Sequence, residues 1–342
     1  MKKFQKAVLC VVVSLALLIL SSCAGTKTDL NTNTTGSDSG SQPFKIGVLQ
    51  LVTHDALDAS YKGFVDALKE AGLQENVDFV IDYQNAQGEQ ANCQTIAAKF
   101  VNDKVDLILA IATPASQAAA NETKDIPILV TAVTDPADAK LVNSNELPGT
   151  NVSGTSDLTP VKEQIELLKK IVPNAKKIAL LYNSSETNSL FQIELAKEAA
   201  EKLGLEYMEA SVSQSSEIQQ VVESVVGKVD AIYTPTDNMI AAGMSTVALV
   251  ANEAKIPVIV GEEGMVSKGG LATYGINYYD LGKLTGKQAV DIIKNNAKPA
   301  EMPIQYLSEF DLIINQDTVE ALGIQIPEDL LAEAKMVKTN IQ

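Results

Sequence analysis

Apolar positions along the chain fall into short dense runs separated by longer amphipathic stretches. Val105 to Ala112 is unbroken apart from Asp106, and Ile126 to Val130 is a second dense run. Runs of this kind predict strands buried on both faces of a parallel sheet. Between them, Thr113-Pro114-Ala115-Ser116 predicts a helix start, with Thr113 as the capping hydroxyl and Pro114 at the first helical position. Residues 105–133 therefore read strand, short helix, strand. Two strand C-termini deliver small residues and hydroxyls to the edge where open α/β sheets bind ligands.

The pattern recurs at 229–263, where VDAIY echoes VDLIL, Thr-Pro-Thr-Asp echoes Thr-Pro-Ala-Ser, and KIPVIVGEE echoes DIPILVTAV. An upstream pair, beginning at Phe44 and at Lys176, matches as well. Three echoes in one order and at nearly one spacing predict two similar lobes.

The remaining periodicity fills in each lobe. Lobe 1 starts with a strand at Lys45–Leu51, a helix at Ala56–Ala71 closed by Gly72, a strand at Val77–Tyr83 and a helix at Gly88–Asn102. Strict βαβα alternation predicts parallel sheets. Residues 151–157 read as a crossover, with Thr159 or Asp157 capping a helix at Pro160–Ile171. Lobe 2 follows, with one helix over Asn238–Ala254 among its elements. Leu271–Gly275 reads as a strand returning to lobe 1, ahead of a helix at Asp280–Asn295. A strand at Glu309–Ile314 and two terminal helices close the chain. Lobe 1 is thus expected over 44–154 plus 275–310, and lobe 2 over 155–274 plus 311–342, joined by a hinge of several strands.

Charge narrows the function. The formal net charge is −16, with 43 acidic side chains against 27 basic ones, which disfavours nucleic-acid binding. Every one of those cations is lysine. Without arginine, no bidentate guanidinium clamp on a carboxylate is available, and an anionic ligand group falls to helix N-termini, backbone N–H groups, hydroxyls or lysine. His54 is the single histidine, no Gly-x-Ser-x-Gly accompanies it, and the cysteines at 10, 23 and 93 offer no zinc ligand set. No Gly-x-Gly-x-x-Gly follows the first strand and no P-loop is present, so a nucleotide-dependent enzyme is disfavoured and no cofactor or metal is expected.

The N-terminus predicts export. Lys2, Lys3 and Lys6 precede an apolar stretch of 14 residues, Ala7 to Leu20, short for a membrane span of roughly 20. Leu20-Ser21-Ser22-Cys23-Ala24 resembles the bacterial lipobox, against the alternatives of a plain secretory signal or an uncleaved anchor. The resemblance implies a signal peptide over 1–22 and lipidation of Cys23, palmitate included; more than one acyl chain is what stable anchoring needs. Residues 24–43 carry almost no apolar side chains and read as a flexible tether, leaving Cys93 as a lone thiol.

The phrases ATPASQAAANETKDIPILVTAVTDP, GTSD, LLYN, AIYTPTDN, LATYGINYYDLG and LIINQDTVEALGIQIPEDLL, in that order, resemble the substrate-binding lipoproteins of ABC transporters for aromatic amino acids, the tryptophan/tyrosine-binding group. The similarity spans nearly all of 44–335. It implies the type I periplasmic-binding-protein fold and a monomer anchored outside the cell membrane. Such a monomer closes on Trp, Tyr or Phe and docks on membrane permease subunits served by a cytoplasmic ATPase. A sensor ectodomain or adhesin of the same fold is the competing class, and fold alone does not separate them.

Candidate ligand residues follow from the strand ends. Thr113 and Ser116, at a helix start, are expected to receive a carboxylate, with Thr131, Ala132 and Val133 at the adjacent strand end. Asp237 and Asn238 are their lobe 2 counterparts; Asp237 either pairs with an α-ammonium or only caps its helix, and Glu262 is its rival. His54 and Asp55 leave the first strand at the cleft edge, and Asn183, Ser184 and Glu186 occupy the matching loop of lobe 2. Tyr274 is a candidate to stack on an aromatic ligand, with a core role as the alternative, while Tyr278 and Tyr279 read as packing.

Overall fold

The computed structural model describes residues 42–340; the leader, Cys23 and nearly all of the tether lie outside the described residues. The first sheet is built from β1 (Phe44–Gln50), β2 (Phe79–Asn85), β3 (Leu107–Ile111), β4 (Ile128–Val133) and β5 (Val152–Ser156), in the order β2-β1-β3-β4-β5, all parallel. Its layers of helix are α1 (Asp55–Glu70), α2 (Gln90–Asn102) and α3 (Thr113–Glu122). The second lobe carries α4 (Val161–Ile171), β6 (Lys177–Asn183), α5 (Thr187–Lys202), β7 (Glu206–Val212), α6 (Ile218–Val225) and β8 (Ala231–Thr234). It continues through α7 (Asn238–Ala242), α8 (Met244–Glu253), β9 (Val258–Val260), α9 (Glu263–Ser267) and β10 (Ala272–Gly275). After α10 (Tyr278–Asn295) come β11 (Asp311–Asn315), α11 (Gln316–Leu322), α12 (Glu328–Glu333) and β12 (Lys335–Val337).

The repeat written in the sequence is a repeat of topology. The second sheet runs β7-β6-β8-β9-β10 in the same spatial order as the first, then adds β11 and β12. β11 runs antiparallel to β10, and β12, parallel to β11, shares its reversed direction. Each sheet has its own apolar core: one is built around Phe64, Phe79, Phe100 and the β3 side chains, and the other lies on both faces of the second sheet. The lone thiol, Cys93, is buried in the first core, where desolvation pushes it up to about 11 and leaves it inert.

Several boundaries differ from the sequence reading for physical reasons. β5 pairs with β4, so the crossover begins after Ser156 instead of within 151–157. β10 does not return to the first lobe; it pairs with β9 and β11, and the crossing follows at Ile276-Asn277. A third passage lies between the Thr155–Gln305 bridge and β11. The helix expected over 238–254 breaks at Gly243, where an added Cβ would sit 2.5 Å from Ile218. Pro160 begins α4 with no side-chain cap from Thr159 or Asp157.

α10 returns to lobe 1 and lies against α1. An added Cβ at Gly282 would come within 1.9 Å of the Ser60 carbonyl oxygen, and one at Gly63 within 2.0 Å of that of Tyr279, so the two backbones touch. Ser60 Oγ donates to the Tyr278 carbonyl at 3.2 Å. This tight joint fixes the N-terminal ends of both helices, and with them His54 and Tyr278, at the interlobe face.

Candidate functional site

The lobes meet over a narrow cavity of about 10 Å³, room for about one water molecule. Lobe 1 lines it with His54, Leu57, Ala132, Thr134 and Tyr278; lobe 2 with Asn188, Thr236, Asp237, Asn238, Ala241 and Glu262; Asp157 sits in the crossover. Polar contacts close the seam. His54 Nε2 lies 3.4 Å from Asn238 Oδ1, Gln192 Nε2 donates to Thr134 Oγ1 at 3.3 Å, and Gln117 Nε2 donates to Thr187 Oγ1 at 3.3 Å. At the rim, Lys268 Nζ lies 3.6 Å from Asp55.

Lobe 1 supplies shape. β3 and β4 end in left-handed residues, Ala112 at φ +84° and Ala132 at φ +54°, conformations a non-glycine residue holds only where its surroundings impose them. At Ala132, which lines the cavity, the β4–β5 ladder skips register between Val130 and Val133. Two of the hydroxyls expected to bind a carboxylate, those of Ser116 and Thr131, are engaged within lobe 1. The cap of α3 is Ala112, not Thr113. Ser116 Oγ donates back to the Ala112 carbonyl at 2.9 Å, and Thr131 Oγ1 lies 3.1 Å from Thr155 in a buried hydroxyl cluster. Thr113 lines a smaller crevice beside the cavity, together with Thr134 and Asn188. Val133 is packed in the core.

Lobe 2 supplies acid. Asp237 caps α7, with Oδ1 accepting from Ile240 N at 2.9 Å and Oδ2 from Asn183 N at 2.6 Å and Ser189 Oγ at 2.7 Å. Glu262 caps α9 through Gly264 N at 2.5 Å and Met265 N at 2.9 Å. Glu186 accepts from Asn183, Asn188, Asn238 and Met239. It borders, with Asn183, a wider mouth that also meets Asn238. Ser184 instead hydrogen-bonds to the Val212 carbonyl. Both oxygens of these three carboxylates are engaged.

Asp157 is different. Its Oδ2 accepts from the Tyr278 hydroxyl at 2.7 Å, but its Oδ1, although buried, has no partner. Two other cavity residues, His54 at Nδ1 and Asn188 at Oδ1, also carry buried unpartnered atoms. Three orphaned polar atoms around one cavity mark a site awaiting a ligand's hydrogen bonds.

Burial dominates the electrostatics. Desolvation pushes Asp157 up to about 6 and Glu262 up to about 8, and holds His54 below its ordinary range. Glu186 and Asp237 are both raised by burial, Glu186 also by its acidic neighbour. No cationic side chain is among the cavity residues. Among the described residues the carboxylates do not gather into a metal-binding group.

Two sequence expectations are corrected. Tyr274 lies outside the cavity; its hydroxyl donates to Glu333 at 3.0 Å, and it lines an outer groove with Phe310. Tyr278, read as packing, is the aromatic side chain in the cavity wall. The sequence reading also passed over Leu57, Thr134, Asn188, Thr236 and Ala241, and saw Asp157 only as a helix cap.

Two topologically equivalent lobes closed on a cavity define a bilobal solute-binding protein of the type I periplasmic-binding-protein fold. The chain belongs to the family described as ABC transporter substrate binding protein, which matches residues 45–338. It is 49% identical over 280 residues to the tyrosine-binding protein of Clostridioides difficile strain R20291, covering 82% of this chain and 81% of that one. The structure of an ABC domain from Streptococcus pneumonia in complex with L-Trp is 43% identical, with a TM-score of 0.83, covering 86% of this chain and 99% of that one. A ligand-free, open substrate binding protein with adhesive properties from Clostridium difficile is 49% identical, with a TM-score of 0.66, covering 86% and 99%. This chain superposes better on the tryptophan complex than on the ligand-free, open relative, although the latter is the more identical in sequence.

Proposed function

We propose that the chain captures a free aromatic amino acid outside the cell membrane and hands it to an ABC permease, with the ligand's α-ammonium against Asp157. One observation carries the reading: the buried, unpartnered Asp157 Oδ1 in a cavity lined by no cation. An ammonium there forms a charge-assisted hydrogen bond and neutralises a carboxylate that burial otherwise penalises. Asp237 and Glu262 then act as helix caps that shape the wall, since their oxygens are already engaged. Without arginine, the ligand carboxylate falls to backbone N–H groups where β4 breaks register at Ala132.

The aromatic ring packs against Leu57, Ala241 and Tyr278. Aromatic ligands are supported by the named tyrosine-binding relative and by the L-Trp complex. We read the chain as a monomeric binding protein with no catalytic step, held at the membrane through lipidated Cys23 as the lipobox resemblance suggests. The relative with adhesive properties supports adhesion as a second role of the same surface-anchored body.

Calorimetry of the purified, ligand-stripped protein against the twenty amino acids tests the reading. An aromatic amino acid is expected to bind most tightly. Failure of all twenty to bind below about 100 μM, or about −5.5 kcal/mol, would overturn it.

A further inference from the structure

We infer that His54 is a tautomer-locked hydrogen-bond acceptor that selects ligands whose aromatic ring carries a donor, a phenol O–H or an indole N–H. The inference rests on the amino-acid reading of the cavity and adds a specificity residue to it.

Glu186 lies outside the cavity, at the wider mouth beside it. Its Oε1 receives Asn183 Nδ2 at 3.1 Å and Met239 N at 3.3 Å; its Oε2 receives Asn188 Nδ2 at 3.3 Å, Asn238 N at 3.4 Å and Asn238 Nδ2 at 2.5 Å. With donors converging on both oxygens, Glu186 acts as an acceptor, and the Asn238 amide must turn its NH2 group toward it. The Asn238 carbonyl oxygen then faces the other way, 3.4 Å from His54 Nε2 across the cleft. An acceptor at that position requires the proton on Nε2. In a neutral imidazole the other nitrogen, Nδ1, is then a bare acceptor. Burial of the ring favours the neutral form.

Nδ1 is sealed from solvent and has no partner in the protein, although His54 as a residue is partly exposed at the seam. An orphaned acceptor on a residue lining the cavity disfavours a ligand that offers it nothing, because that ligand removes water without replacing the hydrogen bond. The ligands named for two relatives, tyrosine and tryptophan, share a ring-borne donor that phenylalanine lacks. The lock forms only on closure, since His54 belongs to lobe 1 and Asn238 to lobe 2.

The test is calorimetry on the purified, ligand-stripped protein with two matched pairs: tyrosine against phenylalanine, and tryptophan against its benzothienyl analogue, in which sulfur replaces the indole N–H. The native protein is expected to prefer the donor-bearing member of at least one pair by about ten-fold or more. His54→Phe should collapse that preference, read as the affinity ratio within each pair so that any loss common to both members cancels, and His54→Asn, which keeps an acceptor, should restore part of it. A preference unchanged in His54→Phe, or equal losses for both members, would overturn the inference while leaving the amino-acid reading in place. Absence of binding by any aromatic amino acid to the native protein would remove both. Should His54→Phe fold poorly, imidazole nitrogen NMR on the native closed form decides: protonated Nε2 with bare Nδ1 is required, and the opposite tautomer contradicts it.

Discussion

The stretches 105–133 and 229–263 look like copies in sequence and occupy equivalent places in the two sheets, yet they serve the cavity differently. In the first, hydroxyls that look ready for a ligand are engaged within lobe 1: Ser116 bonds the Ala112 carbonyl and Thr131 accepts from the Thr155 hydroxyl. What reaches the cavity is Ala132, held at φ +54°. In the second, Asp237, Asn238 and Glu262 all reach it. Duplication fixed the scaffold, and the polar chemistry then diverged, one copy giving close backbone approach and the other an acidic wall.

The largest effect that would break this contrast is on Asp237. If its carboxylate is a structural cap, Asp237→Ala leaves three buried donors without an acceptor and should cost about 3 kcal/mol in denaturant unfolding. Full stability with lost binding would instead make it a ligand residue. Next comes Glu262, which burial raises from 4.5 to about 8. Between those values the folded chain binds more protons at this site than the unfolded chain, so stability is lost as pH rises through the window. Melting of the ligand-free protein should show Glu262→Gln flattening that fall; a slope identical to the native one would refute the assignment.

Smaller effects sharpen the lobe 1 side. Ala132→Gly should stabilise the chain by roughly 1 kcal/mol by relieving the left-handed strain, offset in part by added chain entropy. A loss of stability would mean the strain is absent. Ser116→Ala and Thr131→Val should leave affinity within about three-fold, below 1 kcal/mol; a ten-fold loss for either would restore the hydroxyl reading. Smallest is the rim: Lys268→Ala should shift affinity by no more than about 0.5 kcal/mol, because Asp55 is half exposed.

The scaffold was legible because it rests on local pattern. Dense apolar runs set out β3, β4, β8 and β9, and the echo predicted two similar lobes, which the structure builds with one shared strand order. Much of the site was not legible, because it depends on which face a side chain takes after a crossing. Tyr274 and Tyr278 are four residues apart, yet the first sits on β10 facing Glu333, and the second starts α10 inside the cleft. Asp157 resembled a helix cap because nothing local shows that Tyr278, 121 residues away, would take one oxygen and leave the other free. The left-handed Ala132 has no signature in sequence, since alanine is not a residue that advertises positive φ.

The central claim is that Asp157, and not the capping carboxylates, receives the ligand's ammonium. Calorimetry of the native protein and Asp157→Asn, each with tyrosine and with its des-amino analogue 3-(4-hydroxyphenyl)propionate, tests it most directly. The account predicts that Asp157→Asn weakens tyrosine by about ten- to hundred-fold, the range of a buried charge-assisted hydrogen bond, and changes the des-amino analogue by no more than about three-fold. Equal weakening of both ligands, or a tyrosine-specific loss in Asp237→Asn with none in Asp157→Asn, would contradict it.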